Sequence, residues 1–250
     1  MVFGLFRKGG RSGGASPPEG TVVYAVGDVH GCLGLLQRLQ QQMMEDMAGR
    51  SARRRVVVYL GDYVDRGPDS CGVIEHLLSA PLPDCESVHL AGNHERWMLR
   101  FLDDAAVGGP WLRNGGGDTL MSYGLPSLPP AGADRLAAVR QQLRAALPQT
   151  HKAFLEGLAL SHVEGDYFFA HAGVRPGVPL AEQSEDDLTW IREEFLYSNA
   201  DFGKVVVHGH APAPTPEQFS NRICVDTGAF MSGFLTAAIL DGASVSFLHS

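Results

Sequence analysis

Three short apolar runs govern what this chain can fold into: TVVYAV (21–26), RVVVYL (55–60) and SVHLAG (87–92). The first two are rich in β-branched residues with no polar alternation, which suits strands covered on both faces. Between the runs lie segments with helical spacing. Leu35, Leu36, Leu39, Met43 and Met47 recur along GLLQRLQQQMMEDM, and Val73, Ile74, Leu77 and Leu78 recur along GPDSCGVIEHLLSA, which Pro68 and Asp69 open. HERWMLRFL reads as a third helix. Strand, loop and helix repeated in this way predict an α/β layered core with parallel strands.

Each run breaks off into a glycine-bearing polar turn: GDVHG (27–31), GDYVDRG (61–67) and GNHE (92–95). In an open α/β sheet the loops beyond the carboxyl ends of the strands gather into one crevice. That brings Asp28, His30, Asp62, Asp65, Arg66, Asn93 and His94 into one neighbourhood. Later strand-like runs end in FFAHAG (168–173) and VVHGH (206–210), adding His171 and either His208 or His210. Taken singly, each piece has an ordinary explanation. Asp-x-His can be a turn cap, GNHE a helix start capped by Asn93, and Arg66 an ion-pair partner of Asp62 or Asp65. Carboxylates and imidazoles are costly beside an apolar core without compensation. Five strand ends built this way therefore point to a shared ligand. Oxygen and imidazole donors without thiolate suit manganese, iron or zinc.

Residues 103–160 differ in character. WLRNGGGDTLMSYG is followed by a proline-rich break, LPSLPPAGA, and by ADRLAAVRQQLRAAL, whose Leu136, Val139, Leu143 and Leu147 mark an amphipathic helix. A mostly helical insertion over one edge of the core is expected here. Sheet returns in YFFAHAG, KVVVHGH, ICVDTG, FLTAAIL and ASVSFLHS. Residues 1–19 are expected to form a flexible, mildly basic tail without a signal-peptide core. No run of 18 apolar residues exists, so no membrane span and no stable membrane association are expected. A chain of 250 residues with 44% hydrophobic content can bury one large core. Its net charge of −8 argues against a nucleic-acid partner. An anionic substrate stays open, because bound cations invert local charge. Cys32, Cys71, Cys85 and Cys224 show no CxxC spacing, which predicts reduced thiols and a cytoplasmic location.

The blocks GDVHG, GDYVDRG, GNHE, HAG and HGH resemble the signatures of the phosphoprotein phosphatase (PPP) branch of the calcineurin-like metallophosphoesterases. WLRNGG, HAGVRPGVPL and LTWIREEF resemble its bacterial members, of serine/threonine protein phosphatase type. The resemblance implies one domain over 20–250, a layered αββα sandwich of two mixed sheets with flanking helices. It implies two divalent metal ions, with manganese expected first and iron or zinc as alternatives. Asp28 and His30 would hold one ion, Asp62 would bridge, and Asn93, His171 and His210 would hold the other; His210 is preferred to His208 because the matching block is Gly209-His210. His94 would protonate the leaving oxygen with Asp65 orienting it, and Arg66 and Arg192 would bind phosphate oxygens. The implied reaction is attack of a metal-bridging hydroxide on phosphoserine or phosphothreonine in a protein or peptide, with phosphotyrosine also open. The competing enzyme reading is an ApaH-like dinucleoside polyphosphate hydrolase. A third reading, a non-catalytic phosphoprotein-binding pseudoenzyme, is disfavoured because both Asp65 and His94 are present.

Overall fold

The computed structural model describes residues 14–127 and 133–250. The first three strands are β1 (Thr21–Val26), β2 (Arg54–Tyr59) and β3 (Glu86–His89), alternating with helices α1 (Leu33–Ala48), α2 (Ser70–Ser79) and α3 (Asn93–Asp103). Asp69 caps α2 by accepting from the Gly72 amide at 2.8 Å, as the Pro68-Asp69 start predicts. Four further helices follow: α4 (Gly108–Trp111), α5 (Gly117–Ser122), α6 (Ala133–Ala146) and α7 (Gln149–Glu156). The second half holds β4 (Ser161–Glu164), β5 (Tyr167–Ala170), α8 (Glu185–Trp190), α9 (Glu193–Leu196) and β6 (Val205–His208). The chain closes with β7 (Glu217–Gln218), β8 (Arg222–Cys224), α10 (Ala229–Ser232), β9 (Thr236–Asp241) and β10 (Ser244–His249).

These strands form two five-stranded mixed sheets, ordered β10-β9-β1-β2-β3 and β4-β5-β6-β8-β7. β1, β2 and β3 pair in parallel, while β9 runs antiparallel to β1 and β10. The period-two alternation of strands sorts residues between layers. Val22, Tyr24 and Val26 of β1 face the helices α1, α2 and α3, whereas Val23 and Ala25 face the second sheet. There they meet Tyr167, Phe169, Val207 and Ile223. The outer face of the second sheet, through Phe168, Ala170 and Val206, is covered by Leu188, Ile191 and Phe195 of the α8–α9 region. Both sheets are thus sandwiched between helices, an αββα arrangement. Both faces of β1 are buried along its whole length, which explains its lack of polar alternation.

The helical stretch after α3 packs on the helix layer, with α6 against α3 and α7 against α2 and α3. Of the expected N-terminal tail, residues 1–13 lie outside the described residues, as does the 128–132 part of the proline-rich break. Residues 15 and 16 are docked on the β4–β5 hairpin. The Ser16 amide donates to the Asp166 carboxylate at 3.2 Å, the Asp166 amide donates back to the Ser16 carbonyl at 2.9 Å, and the Tyr167 hydroxyl donates to the Ala15 carbonyl at 3.0 Å. Among the described residues, no helix is long and apolar enough to cross a membrane.

Candidate active site

The loops after β1, β2, β3, β5 and β6 converge at one end of the sandwich. Asp28, His30, Asp62, Asp65, Asn93, His94, His171 and His210 are all buried there, each at most 5% exposed. Arg66 is half-buried beside them and Arg192 is exposed. Six non-glycine residues among those described have positive φ, and His30, Asp62, Asp65, Arg66 and His210 are five of them. Such backbone is strained for side chains of this kind, and it persists where surrounding structure over-determines it.

Tautomers are set by backbone carbonyls. His30 Nδ1 lies 2.8 Å from the Val64 carbonyl and His171 Nδ1 lies 2.9 Å from that of Leu60. Each Nδ1 therefore carries the proton, and each Nε2 turns a lone pair inward, the arrangement that orients metal-binding histidines. Burial lowers the affinity of His30, His171 and His210 for a second proton, taking His30 down to about 3 and leaving all three neutral ligands. Burial alone would raise the Asp62 carboxyl, but the imidazoles of His171, His94, His30 and His210 take up an entering proton ahead of it, and the net shift of Asp62 is downward.

Two clusters share Asp62. Ligand atoms of His30, Asp62 and His94 lie within 4.8 Å of one another, and so do those of Asp62, His171 and His210. The Asn93 side-chain oxygen sits 3.0 Å from His171 Nε2 and 2.9 Å from His210 Nδ1. His171 Nε2 is also 3.4 Å from Asp62 Oδ2. With Nδ1 donating to Leu60, His171 Nε2 brings a lone pair up to two oxygens, an arrangement that a cation among them would relieve. His210 Nε2 is buried without a partner. The donor set fits a pair of divalent ions bridged by Asp62.

Three placements refine the sequence expectations. Asp28 stands outside both clusters and accepts the His210 amide at 3.1 and 3.2 Å, while His94 enters the first cluster through a 3.9 Å approach of Nε2 to Asp62. His210, not His208, faces Asn93; the His208 ring instead packs edge-on against Phe195 at 5.0 Å. Arg66 reaches the centre by donating to His30 Nε2 at 3.0 Å, with its guanidinium 5.0 Å over the Phe230 ring. Arg192 makes no ion pair among the described residues, and its charge acts on His171 and His210.

His94 Nδ1 lies 2.7 Å from Asp65 Oδ2. Burial opposes a charge on His94, yet Asp62 and the Asp65 hydrogen bond more than offset it and raise the group's proton affinity. Aromatic rings wall the opening: Trp97 meets His94 at 5.9 Å and Trp190 at 4.9 Å, and Trp190 meets His210 at 6.2 Å.

Several neighbours have roles that the sequence does not show. Glu95 is fully buried and accepts four amides, those of Asp62, Tyr63, Val64 and Gly92, at 2.7–3.2 Å. Burial and the Asp62 charge push its carboxyl up to about 7, against the pull of those N–H donors. Asp226, at the end of β8, is buried against Asp28; burial first, and the Asp62 charge, push it up to about 6. Trp111, Thr119 and Ser70 surround Asp65. Asp226 sits in VDTG, one more strand end of the same type, so that pattern could have found it.

Comparison with known proteins agrees with this geometry. The family model for calcineurin-like phosphoesterases matches residues 21–233. The chain is similar to the serine/threonine-protein phosphatase 1 of Salmonella typhimurium, 29% identical over 86% of this chain and 90% of the relative. It is also similar to the asymmetrical bis(5'-nucleosyl)-tetraphosphatase PrpE of Bacillus cereus, 26% identical over 85% of this chain and 87% of the relative. Among solved structures, a variant of a cold-active protein tyrosine phosphatase shares the fold with a TM-score of 0.60, 15% identity, and coverage of 94% and 82% of the two chains. The chain belongs to the calcineurin-like phosphoesterase family, hydrolases that work with divalent metals.

Proposed function

We propose that this protein is a phosphoprotein phosphatase, a phosphomonoesterase that hydrolyses phosphoserine and phosphothreonine in proteins or peptides, with phosphotyrosine left open. The observation that carries this reading is the His94–Asp65 pair, 2.7 Å apart and buried beside Asp62 and Arg66. His30, Asp62, Asn93, His171 and His210 would hold two ions, manganese first or iron or zinc, with Asp28 beside them. Such a pair, when bound, would supply a water readied for attack on phosphorus and offset phosphoryl charge. The chain's own residues do the rest. Arg66 and Arg192 present guanidinium forks, which match phosphate oxygens in geometry as well as charge. His94, whose proton affinity Asp62 and Asp65 raise against its burial, turns Nε2 to the centre and gives its proton to the departing oxygen. General acid catalysis of this kind is worth roughly 10²–10⁴-fold.

The similarity to the Salmonella phosphatase supports a protein substrate, and so do Asp65 preceding Arg66 and Glu95 closing GNHE. The similarity to PrpE supports the second reading, a dinucleoside polyphosphate hydrolase. Turnover of a phosphoserine peptide, a phosphotyrosine peptide and diadenosine tetraphosphate by the manganese-loaded protein separates the two. Preference for the phosphoserine peptide is expected. Preference for diadenosine tetraphosphate overturns the proposal in favour of the second reading, and absence of any turnover leaves only the binding module.

A further inference from the structure

The carboxylate of Asp65 is fully buried and receives donors from two directions. From the strand-end loops comes His94 Nδ1, at 2.7 Å from Oδ2. From the helical insertion come Trp111 Nε1, 2.9 Å from the same Oδ2, and Thr119 Oγ1, 2.6 Å from Oδ1. The indole N–H can only donate. Thr119 has one hydroxyl proton. With that proton on Asp65, its oxygen accepts the Asp65 amide at 2.9 Å and the Ser70 hydroxyl at 2.9 Å. Ser70 Oγ in turn accepts the Asp65 amide at 3.0 Å. The donor count closes, and it leaves the Asp65 carboxylate as the acceptor towards Trp111, Thr119 and His94 alike. His94 Nδ1 must then carry its proton, and Nε2 is the atom left for the centre.

The same insertion braces what lies around the pair. Trp111 is buried, packs at a tilt against Phe101 with ring centroids 4.9 Å apart, and leaves no room for a side chain at Gly116. In the widened turn that follows it, Gly115 has φ +105° and its carbonyl accepts the Arg66 amide at 3.3 Å. A Cβ at Gly115 would lie 2.5 Å from that amide nitrogen, so only glycine fits.

We propose that Trp111 and Thr119 are positioning residues for the general acid: by fixing the orientation of the Asp65 carboxylate they aim the His94 Nε2 proton at the leaving-group oxygen. The inference rests on the phosphomonoesterase reading given above. In the step concerned, a water oxygen bonds to phosphorus as the bond from phosphorus to the ester oxygen breaks. The ester oxygen keeps the electron pair and takes the proton from Nε2. A proton released from the attacking water balances the reaction and restores His94.

A poor leaving group depends on that proton more than a good one does. The test uses the full chain loaded with manganese and a series of aryl phosphates from p-nitrophenyl phosphate to phenyl phosphate. Trp111→Phe keeps the ring and removes the N–H; Thr119→Val keeps the shape and removes the hydroxyl. Both variants are expected to hold wild-type metal and to lose about 10–100-fold on phenyl phosphate, with a much smaller loss on p-nitrophenyl phosphate. Thr119→Ser should restore the wild-type dependence, and adding Trp111→Phe to His94→Ala should cost nothing further. A loss that is uniform across the series in both variants, or no loss, overturns the proposal. His94→Ala alone distinguishes the two levels. If it lacks a leaving-group trend, the reading of His94 as the acid fails and this inference falls with it. If it shows the trend and neither Trp111→Phe nor Thr119→Val does, only the inference fails.

Discussion

Replacing Gly92 by alanine should disable both metal positions at once without a backbone penalty. Gly92 has φ −92° and ψ 175°, extended backbone that alanine adopts freely. The obstacle is space: a Cβ there would lie 2.1 Å from Asp62 Oδ1 and 2.5 Å from the Asp62 amide nitrogen. Real Cβ contacts stay beyond 3.0 Å, so the carboxylate must move by about 0.9 Å. The Asp62 backbone resists following, because its amide is held by Glu95 at 2.9 Å and its carbonyl accepts the Val29 and His30 amides at 3.1 and 2.7 Å. Metal sites tolerate ligand errors of only about 0.2 Å. Displacing the shared ligand should therefore weaken both ions by at least about 10–100-fold. Overpacking costs about 1–3 kcal/mol, partly offset by about 0.4–1 kcal/mol from the stiffer unfolded chain. Gly177→Ala is the matched control. Nothing lies within 4 Å of its Cβ, but φ is +80°, so it should lose about 1–2 kcal/mol while binding metal normally. Calorimetric titration of chelator-stripped protein with manganese, beside thermal melts of the stripped forms, reads both quantities. Two ions bound to Gly92→Ala within about threefold of wild-type affinity would refute the shared-ligand geometry.

Two further outcomes follow from the same contacts. Glu95→Gln swaps one oxygen, which accepts two amides, for an NH₂ group that faces them. Two buried donors left unmatched should cost about 2–6 kcal/mol in urea unfolding of the stripped protein at pH 8, where the native carboxyl is ionised, and a loss below about 1 kcal/mol would deny the brace. Arg66→Lys keeps the charge but loses the fork that spans His30 Nε2 and Phe230, so KM for a phosphopeptide should rise about tenfold or more; an unchanged KM would remove Arg66 from phosphate binding.

The polar groups at the strand ends are legible in the sequence because their signal is local. Apolar runs that stop at GDVHG, GDYVDRG and GNHE place polar groups at one edge, and the parallel register of β1, β2 and β3 carries them to a common crevice. Glu95 is visible as a letter of GNHE, yet its partners include amides some thirty positions upstream, and no pattern around it reveals them. Trp111 and Thr119 flank no strand. Trp111 reads as a core aromatic and Thr119 as part of a short helix, and their bonds to Asp65 depend on how the insertion packs.

The left-handed backbone at His30, Asp62, Asp65, Arg66 and His210 is equally silent in the sequence, and its support has one form throughout. The His30 amide donates to the Asp62 carbonyl, that of Asp62 to Glu95, and that of Asp65 to Ser70 and Thr119. The Arg66 amide donates to Gly115 and that of His210 to Asp28. For all but Asp65, whose amide is shared with Ser70 five positions on, the brace comes wholly from a segment distant in sequence. Strain of about 1–3 kcal/mol at each position is thus offset by contacts that form only when the loops and the insertion have assembled together. The Arg66 brace, and the Thr119 share of the Asp65 brace, come from the insertion and not from a loop of the candidate metal centre. A substitution there, remote along the chain from any metal-binding residue, should therefore reach the proton transfer and the phosphate grip while leaving the ions in place.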